Sequence, residues 1–187
     1  MRFIRYLYND LRRVIHQKRI LYELCQKYPS LHIEEGVQIK SPQNLLFGKN
    51  INIQKGAILH GGGMKWCDYK GKITVGNNSF IGPYAVLFGA GEILIGKNVL
   101  LSPSVFITSQ QHSYRDLQIP IYRQPIRYNP VIIEDDVWIG MNAVILPGTK
   151  IGRGAIIAAG SVVRGEIQPY TICSGSLAKV IKERDKK

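Results

Sequence analysis

A spacing of six constrains this chain more than any other feature. Stepping by six from Ile133 meets Ile139, Ile145, Ile151, Ile157 and Val163, six β-branched aliphatics in succession. Four residues after the first five stand Val137, Ala143, Thr149, Ala155 and Ser161, all small or β-branched, and Gly140 and Gly152 directly follow repeat aliphatics. A helix would space its apolar residues by three and four, and an ordinary half-buried strand by two. A period of six fits short strands joined by sharp turns, the hexapeptide signature of a parallel β-helix. The register continues upstream through Ile33 and Ile39; Phe47, Ile53 and Leu59; Val75, Ile81 and Leu87; Ile95, Leu101 and Ile107, making seventeen positions in all. Four intervals exceed six: 39→47, 59→75, 87→95 and 107→133, by 2, 10, 2 and 20 residues. Each falls at every third step. If three hexapeptides form one triangular coil, all four insertions leave the same edge of the prism, where repeat scaffolds place function. The fold expected is an all-β solenoid of about five and a half coils.

The flanks read differently. Residues 1–29 space Ile4, Leu7, Leu11, Val14, Ile15, Leu21 and Leu24 among arginines, which predicts one or two amphipathic helices ended by Pro29. Residues 176–187 read as a short basic helix. The expected organisation is therefore a helical segment at 1–29, the repeat domain at 30–175 with an inserted loop at 108–132, and the terminal helix at 176–187. Both flanking elements can cap the open ends of a solenoid.

Charge separates the same regions. The net charge is +12, of which residues 1–29 supply +5 and residues 179–187 supply +3. The repeat body is only mildly basic and lacks the stripe of cations and stacking aromatics that a nucleic-acid binder shows. No apolar run reaches the ~20 residues of a membrane span, and no apolar stretch of signal-peptide type follows the first residues. Cys25, Cys67 and Cys173 are widely spaced and odd in number, which fits neither a disulfide framework nor a zinc site and suits a reducing cytoplasm. The basic, apolar N-terminal segment reads either as a structural cap, on its own coil or on a neighbouring subunit, or as a peripheral contact with an anionic membrane through residues 1–29.

The segments Val137-Trp-Ile-Gly-Met-Asn-Ala-Val-Ile-Leu-Pro-Gly, Ile151-Gly-Arg-Gly-Ala, Ala158-Ala-Gly-Ser-Val-Val and Gly175-Ser-Leu-Ala-Lys-Val-Ile resemble the hexapeptide-repeat acyltransferases, in particular the maltose, galactoside and polysaccharide O-acetyltransferases. The resemblance covers residues 33–184 and implies a left-handed β-helix assembled as a homotrimer, with coenzyme A bound between subunits. The hand comes from the resemblance, since the usual crossover rule favours the right. It further implies an acetyl-CoA-dependent O-acetyltransferase acting on a sugar or glycan precursor, with acetyl-CoA as co-substrate and no metal. His112, in Ser109-Gln-Gln-His-Ser-Tyr-Arg-Asp within the longest insertion, matches the family's catalytic histidine. Its expected role is general base, because a hydroxyl is too weak an acid to attack a thioester unaided and an imidazole titrates near neutrality. Trp138, Gly140, Met141, Ala158 and Ala159 match positions along the acyl-donor cleft, and Lys179 and Lys182 match cations near its nucleotide phosphates. Met141 stands where relatives often carry serine, which leaves only its backbone amide to meet a developing oxyanion.

Other readings are an amino-sugar N-acetyltransferase, a serine or antibiotic acetyltransferase, or a non-catalytic hexapeptide scaffold. A zinc enzyme on the same prism needs three converging histidines. The chain has four, none closely paired. His60 lies in another insertion on the same edge, within reach of an acceptor. His16 and His32 read as surface or packing residues.

Overall fold

The computed structural model describes residues 2–184. One α-helix, Arg2–Lys27, precedes three parallel sheets that the chain visits in rotation. The first sheet orders Leu31–Ile33, Ile51–Ile53, Phe80–Ile81, Leu100–Leu101, Trp138–Ile139, Ile156–Ile157 and Thr171–Ser174. The second runs from Gln38–Lys40 through Ile58–His60, Val86–Phe88, Phe106–Thr108 and Val144–Ile145 to Val162–Val163. The third stacks Leu45–Phe47, Ile73–Val75, Ile93–Ile95, Val131–Ile133, Lys150–Ile151 and Glu166–Ile167. Each strand pairs with the one a full circuit away, as three hexapeptides per circuit require. The circuits number six, plus the strand Thr171–Ser174, rather than about five and a half.

The sixfold series is the core. All seventeen positions but Ile33 are buried, and so are Val137, Ala143, Thr149, Ala155 and Ser161. Between the first and second sheets the chain turns in four residues. At Gly140–Ala143 the Ala143 amide donates to the Gly140 carbonyl at 3.2 Å, and Asn142 holds a left-handed φ of 58°. A Cβ on Gly140 would stand 2.5 Å from the Ala159 nitrogen, so glycine is what lets successive coils approach here. Between the third and first sheets, left-handed Asn50, Asn78 and Asn98 bond side chain to side chain, at 3.0 and 3.3 Å.

The first coil leaves a sheet edge open, and the helix closes it. The Gln17 carboxamide donates to the Ile39 carbonyl and accepts from the Ile39 amide, both at 3.0 Å, which imitates one rung of a strand. Ile20 and Leu24 are buried beneath it. The far end corrects the expected terminal helix of 176–187. Lys179–Glu183 is a strand that folds back antiparallel on Thr171–Ser174. The last coil has unpaired backbone donors and acceptors, which a returning strand satisfies and a helix would leave open. Arg184 fixes the return, donating to Asp136 Oδ2 and to the Gly154 carbonyl, each at 3.0 Å. Residues 185–187 lie outside the described residues.

All insertions leave the edge between the second and third sheets. The largest carries an antiparallel ribbon, Gln110–His112 against Ile126–Tyr128. It rests on the insertion below, where the Tyr128 hydroxyl donates to the Trp66 carbonyl at 3.0 Å.

Candidate active site

His112 ends the first ribbon strand, opposite Ile126, and is exposed. The root of the ribbon is fixed by buried Ser109, whose hydroxyl donates to the Phe88 carbonyl at 3.0 Å and accepts from the Gly91 amide at 2.9 Å. Beyond His112 the loop is tied by buried Gln124, whose amide nitrogen donates to the carbonyls of Asp116 and Ile119 at 2.7 and 2.8 Å. Neither residue stood out in the sequence; a polar residue flanked by loop carbonyls has no spacing signature.

His60 lies on the same edge, in register with Lys40 and Phe88. It is only 9% exposed, and its ring meets the rings of Trp66 and Phe88 edge-on at 5.9 and 6.0 Å. Burial, with Lys40 nearby, holds its pKa below the ordinary imidazole value. Its Nδ1 accepts from the Gly62 amide at 3.2 Å, so the neutral ring carries its proton on Nε2.

The other predicted residues gather elsewhere, on the first sheet and its corner with the second. Trp138 faces outward, 47% exposed, and its indole nitrogen donates to the Ser102 hydroxyl at 3.0 Å. Strand pairing continues this row from Trp138 through Ile156 and Ile172 to Lys182. Lys179 stands opposite Ser174 on the same returning strand. At the corner, the amides of Gly140 and Ala158 are committed to the carbonyls of Ile157 and Cys173, at 2.8 Å each, so these two are not free donors. The amides of Met141 and Ala159 have no protein acceptor among the described residues, and both residues are exposed. The same corner position in the two coils below is Pro83 and Pro103, which have no N–H to offer. The free Met141 and Ala159 amides lie one coil apart, alongside Trp138. In the first two coils the equivalent Lys55 amide is taken by Glu34, and the Glu35 amide, free among the described residues, lies at the helix-capped end. Such amides can hold carbonyl oxygens of an extended ligand or a developing oxyanion.

The fold therefore brings Trp138, Met141, Ala159 and Lys182 onto one surface and leaves His112 on a different edge of the same chain. Among the described residues no group of three metal-ligating side chains converges.

Residues 130–165 match the family profile bacterial transferase hexapeptide (six repeats). WbbJ of Escherichia coli, a candidate lipopolysaccharide biosynthesis O-acetyl transferase, is 30% identical over 174 residues, covering 88% of this chain and 82% of its own. A candidate acetyltransferase of Mycobacterium tuberculosis is 37% identical over 125 residues, 67% of this chain but only 39% of that protein. Among solved structures, AntD, an N-acyltransferase from Bacillus cereus, superposes with a TM-score of 0.73 at 23% identity, covering 88% of this chain and 89% of its own. A period of six with every third interval expandable, free amides in the upper coils, and a relative matched over most of both chains lead to one conclusion: the chain belongs to the hexapeptide-repeat acyltransferase family.

Proposed function

We propose that the protein transfers the acetyl group of acetyl-CoA to a hydroxyl of a sugar or glycan precursor, as a homotrimer of left-handed β-helices with the site between neighbouring subunits. The observation that carries this reading is the division of the site. The corner with free Met141 and Ala159 amides fits a pantetheine arm beside Trp138, and Lys179 and Lys182 lie further along the same sheet, where nucleotide phosphates would fall. The histidine insertion leaves a different edge, and packing against another copy would bring the corner of one chain to the insertion of the next. Cyclic closure of three prisms supplies that contact. WbbJ, matched over most of its length, supports a hydroxyl on an envelope glycan as the acceptor class.

In this mechanism His112 accepts the proton of the acceptor hydroxyl as its oxygen attacks the thioester carbonyl. The Met141 amide donates to the carbonyl oxygen as charge develops there. The carbon–sulfur bond breaks, and the thiolate takes the proton back from the imidazolium. No covalent enzyme intermediate is needed, because holding both substrates together supplies the proximity.

The test is a screen of sugars and glycan fragments, each hydroxyl acceptor beside its amino analogue, for thiol release from acetyl-CoA. With a confirmed acceptor, His112→Ala is expected to lower turnover by roughly two to four orders of magnitude while coenzyme A still binds. Near-wild-type turnover of that variant overturns the role of His112, and an amino analogue outpacing its hydroxyl partner overturns O-acetylation.

A further inference from the structure

The N-terminal helix carries more apolar surface than the coil covers. Helix Arg2–Lys27 is 26 residues long, about 39 Å at 1.5 Å per residue. The helix is held on the repeat body by the Gln17 carboxamide and by buried Ile20 and Leu24, and Val14 borders a groove against Val37 and Lys40. Residues 4–16 are all exposed. An unpacked helical stretch of that length is marginal in water by itself, so this half is built to lie against something.

Its surface says what. Ile4, Leu7, Leu11 and Val14 follow one another at spacings of three and four, with Tyr8 and Ile15 beside them. Ile4 is 72% exposed and Leu11 58%. At about 100° per residue, this stripe points roughly a third of a turn away from the face of Ile20 and Leu24. Its Val14 side adjoins the row of Leu21, which packs against the core, while Ile4, Leu11, Ile15 and Tyr8 turn away from the coil. Arg5 and Arg12 run along one side of the stripe, seven residues apart, and the Arg12 guanidinium lies over the Tyr8 ring at 5.5 Å. Arg19, the next in that row, is already paired with Glu23 at 2.7 Å. Residues 2–16 hold four arginines against the single acid Asp10. Parallel packing of copies through this stripe would bring like charges together. An occupant must be apolar in the middle and anionic at the border.

We propose that the N-terminal half of this helix docks on an anionic lipid surface, with the Ile4–Leu7–Leu11–Val14 stripe inserted below the headgroups and Arg5 and Arg12 among the phosphates. The arginine stems cover the edge of the stripe while their guanidinium groups stay at headgroup level. The capping half remains on the coil, so docking needs no unfolding of the repeat domain. No helix among the described residues is long and apolar enough to cross a membrane, so the contact lies in the plane of the surface.

Sedimentation of the intact protein with phosphatidylcholine vesicles, alone or mixed with phosphatidylglycerol, tests this at low and high salt. The expected result is binding to the mixed vesicles at low salt, release at high salt, and little binding to phosphatidylcholine alone. Leu7→Glu/Leu11→Glu and Arg5→Gln/Arg12→Gln should each weaken partitioning by roughly tenfold or more. Both pairs lie outside the packed half, and unchanged circular dichroism and thermal midpoint will confirm an intact fold. Absence of binding at low salt, unchanged binding by either variant, or equal binding to neutral vesicles overturns the proposal. So does a leucine variant that lowers the oligomeric mass while vesicle binding persists, because the stripe is then a contact between copies.

Discussion

At the scale of single residues, His60 shows how one edge of the coil treats two histidines differently. His112 is exposed on a ribbon, while His60 is enclosed between Trp66 and Phe88 and accepts a backbone hydrogen bond. Its lowered pKa means that the folded state prefers the neutral ring. As pH falls below the ordinary imidazole range, the unfolded chain takes up the proton first. Stability is therefore full above that range and is lost as pH falls through the lowered value of His60. His60→Asn keeps an acceptor near the Gly62 amide but removes the titrating ring and its aromatic contacts. At slightly alkaline pH the variant should melt a few degrees lower, about 1–2 kcal/mol for a buried ring. Between pH 7 and 5 its melting curve should be flatter, so that the gap to wild type narrows. Two curves that run parallel over that range would place the proton penalty elsewhere.

At the scale of elements, the corner turns separate structure from function. Met141 and Ala159 occupy the turn position that Pro83 and Pro103 hold in the coils below, followed in each case by a left-handed or glycine residue. Proline suits this position, since it presets φ and no amide bond is lost within the protein. Met141→Pro is thus expected to leave the thermal midpoint unchanged or raise it, by about 0.4–1 kcal/mol in stability. If its amide serves the acyl donor, the same variant loses about tenfold or more in kcat/KM for acetyl-CoA. A variant that unfolds, or one with full activity, contradicts this account of the corner. The corner was legible in the sequence as a row of small and turn-forming residues. Which amides are free was not, because that depends on which carbonyl of the next coil each N–H meets. The sixfold register, by contrast, was legible almost throughout, since each inward side chain must be apolar at every step. It missed buried Ile167 and Cys173, because the interval from Val163 to Ile167 is four rather than six. The terminal basic run 176–187 reads as a helix in the sequence, but the open sheet edge of the last coil makes Lys179–Glu183 a strand, and an edge is a tertiary fact.

At the scale of the whole molecule, the position of His112 makes the assembly a chemical question. Four strand-to-strand steps of about 4.8 Å separate Leu31–Ile33 from Trp138–Ile139, so the donor surface lies about 20 Å from the helix-capped end. That leaves room for a docked N-terminal helix and an unobstructed cleft at once. Within one chain, His112 and the Met141 corner stand on different edges. If the site forms between copies, the protein in solution should have about three times the chain mass of 21.1 kDa, by light scattering. Mixed assemblies give the sharper test. A chain carrying His112→Ala keeps its donor corner, and a chain carrying Trp138→Ala with Met141→Pro keeps its base; each should be nearly inactive as a homo-oligomer. Co-expressed in equal amounts, they should recover roughly a quarter of wild-type activity, because random cyclic assembly pairs an intact insertion with an intact neighbouring corner at that frequency. A site contained in one chain would recover nothing, since every chain in the mixture carries a broken half. The recovered activity should also disappear when the two chains are purified separately and mixed without dissociation, which distinguishes shared sites from leakage in either variant.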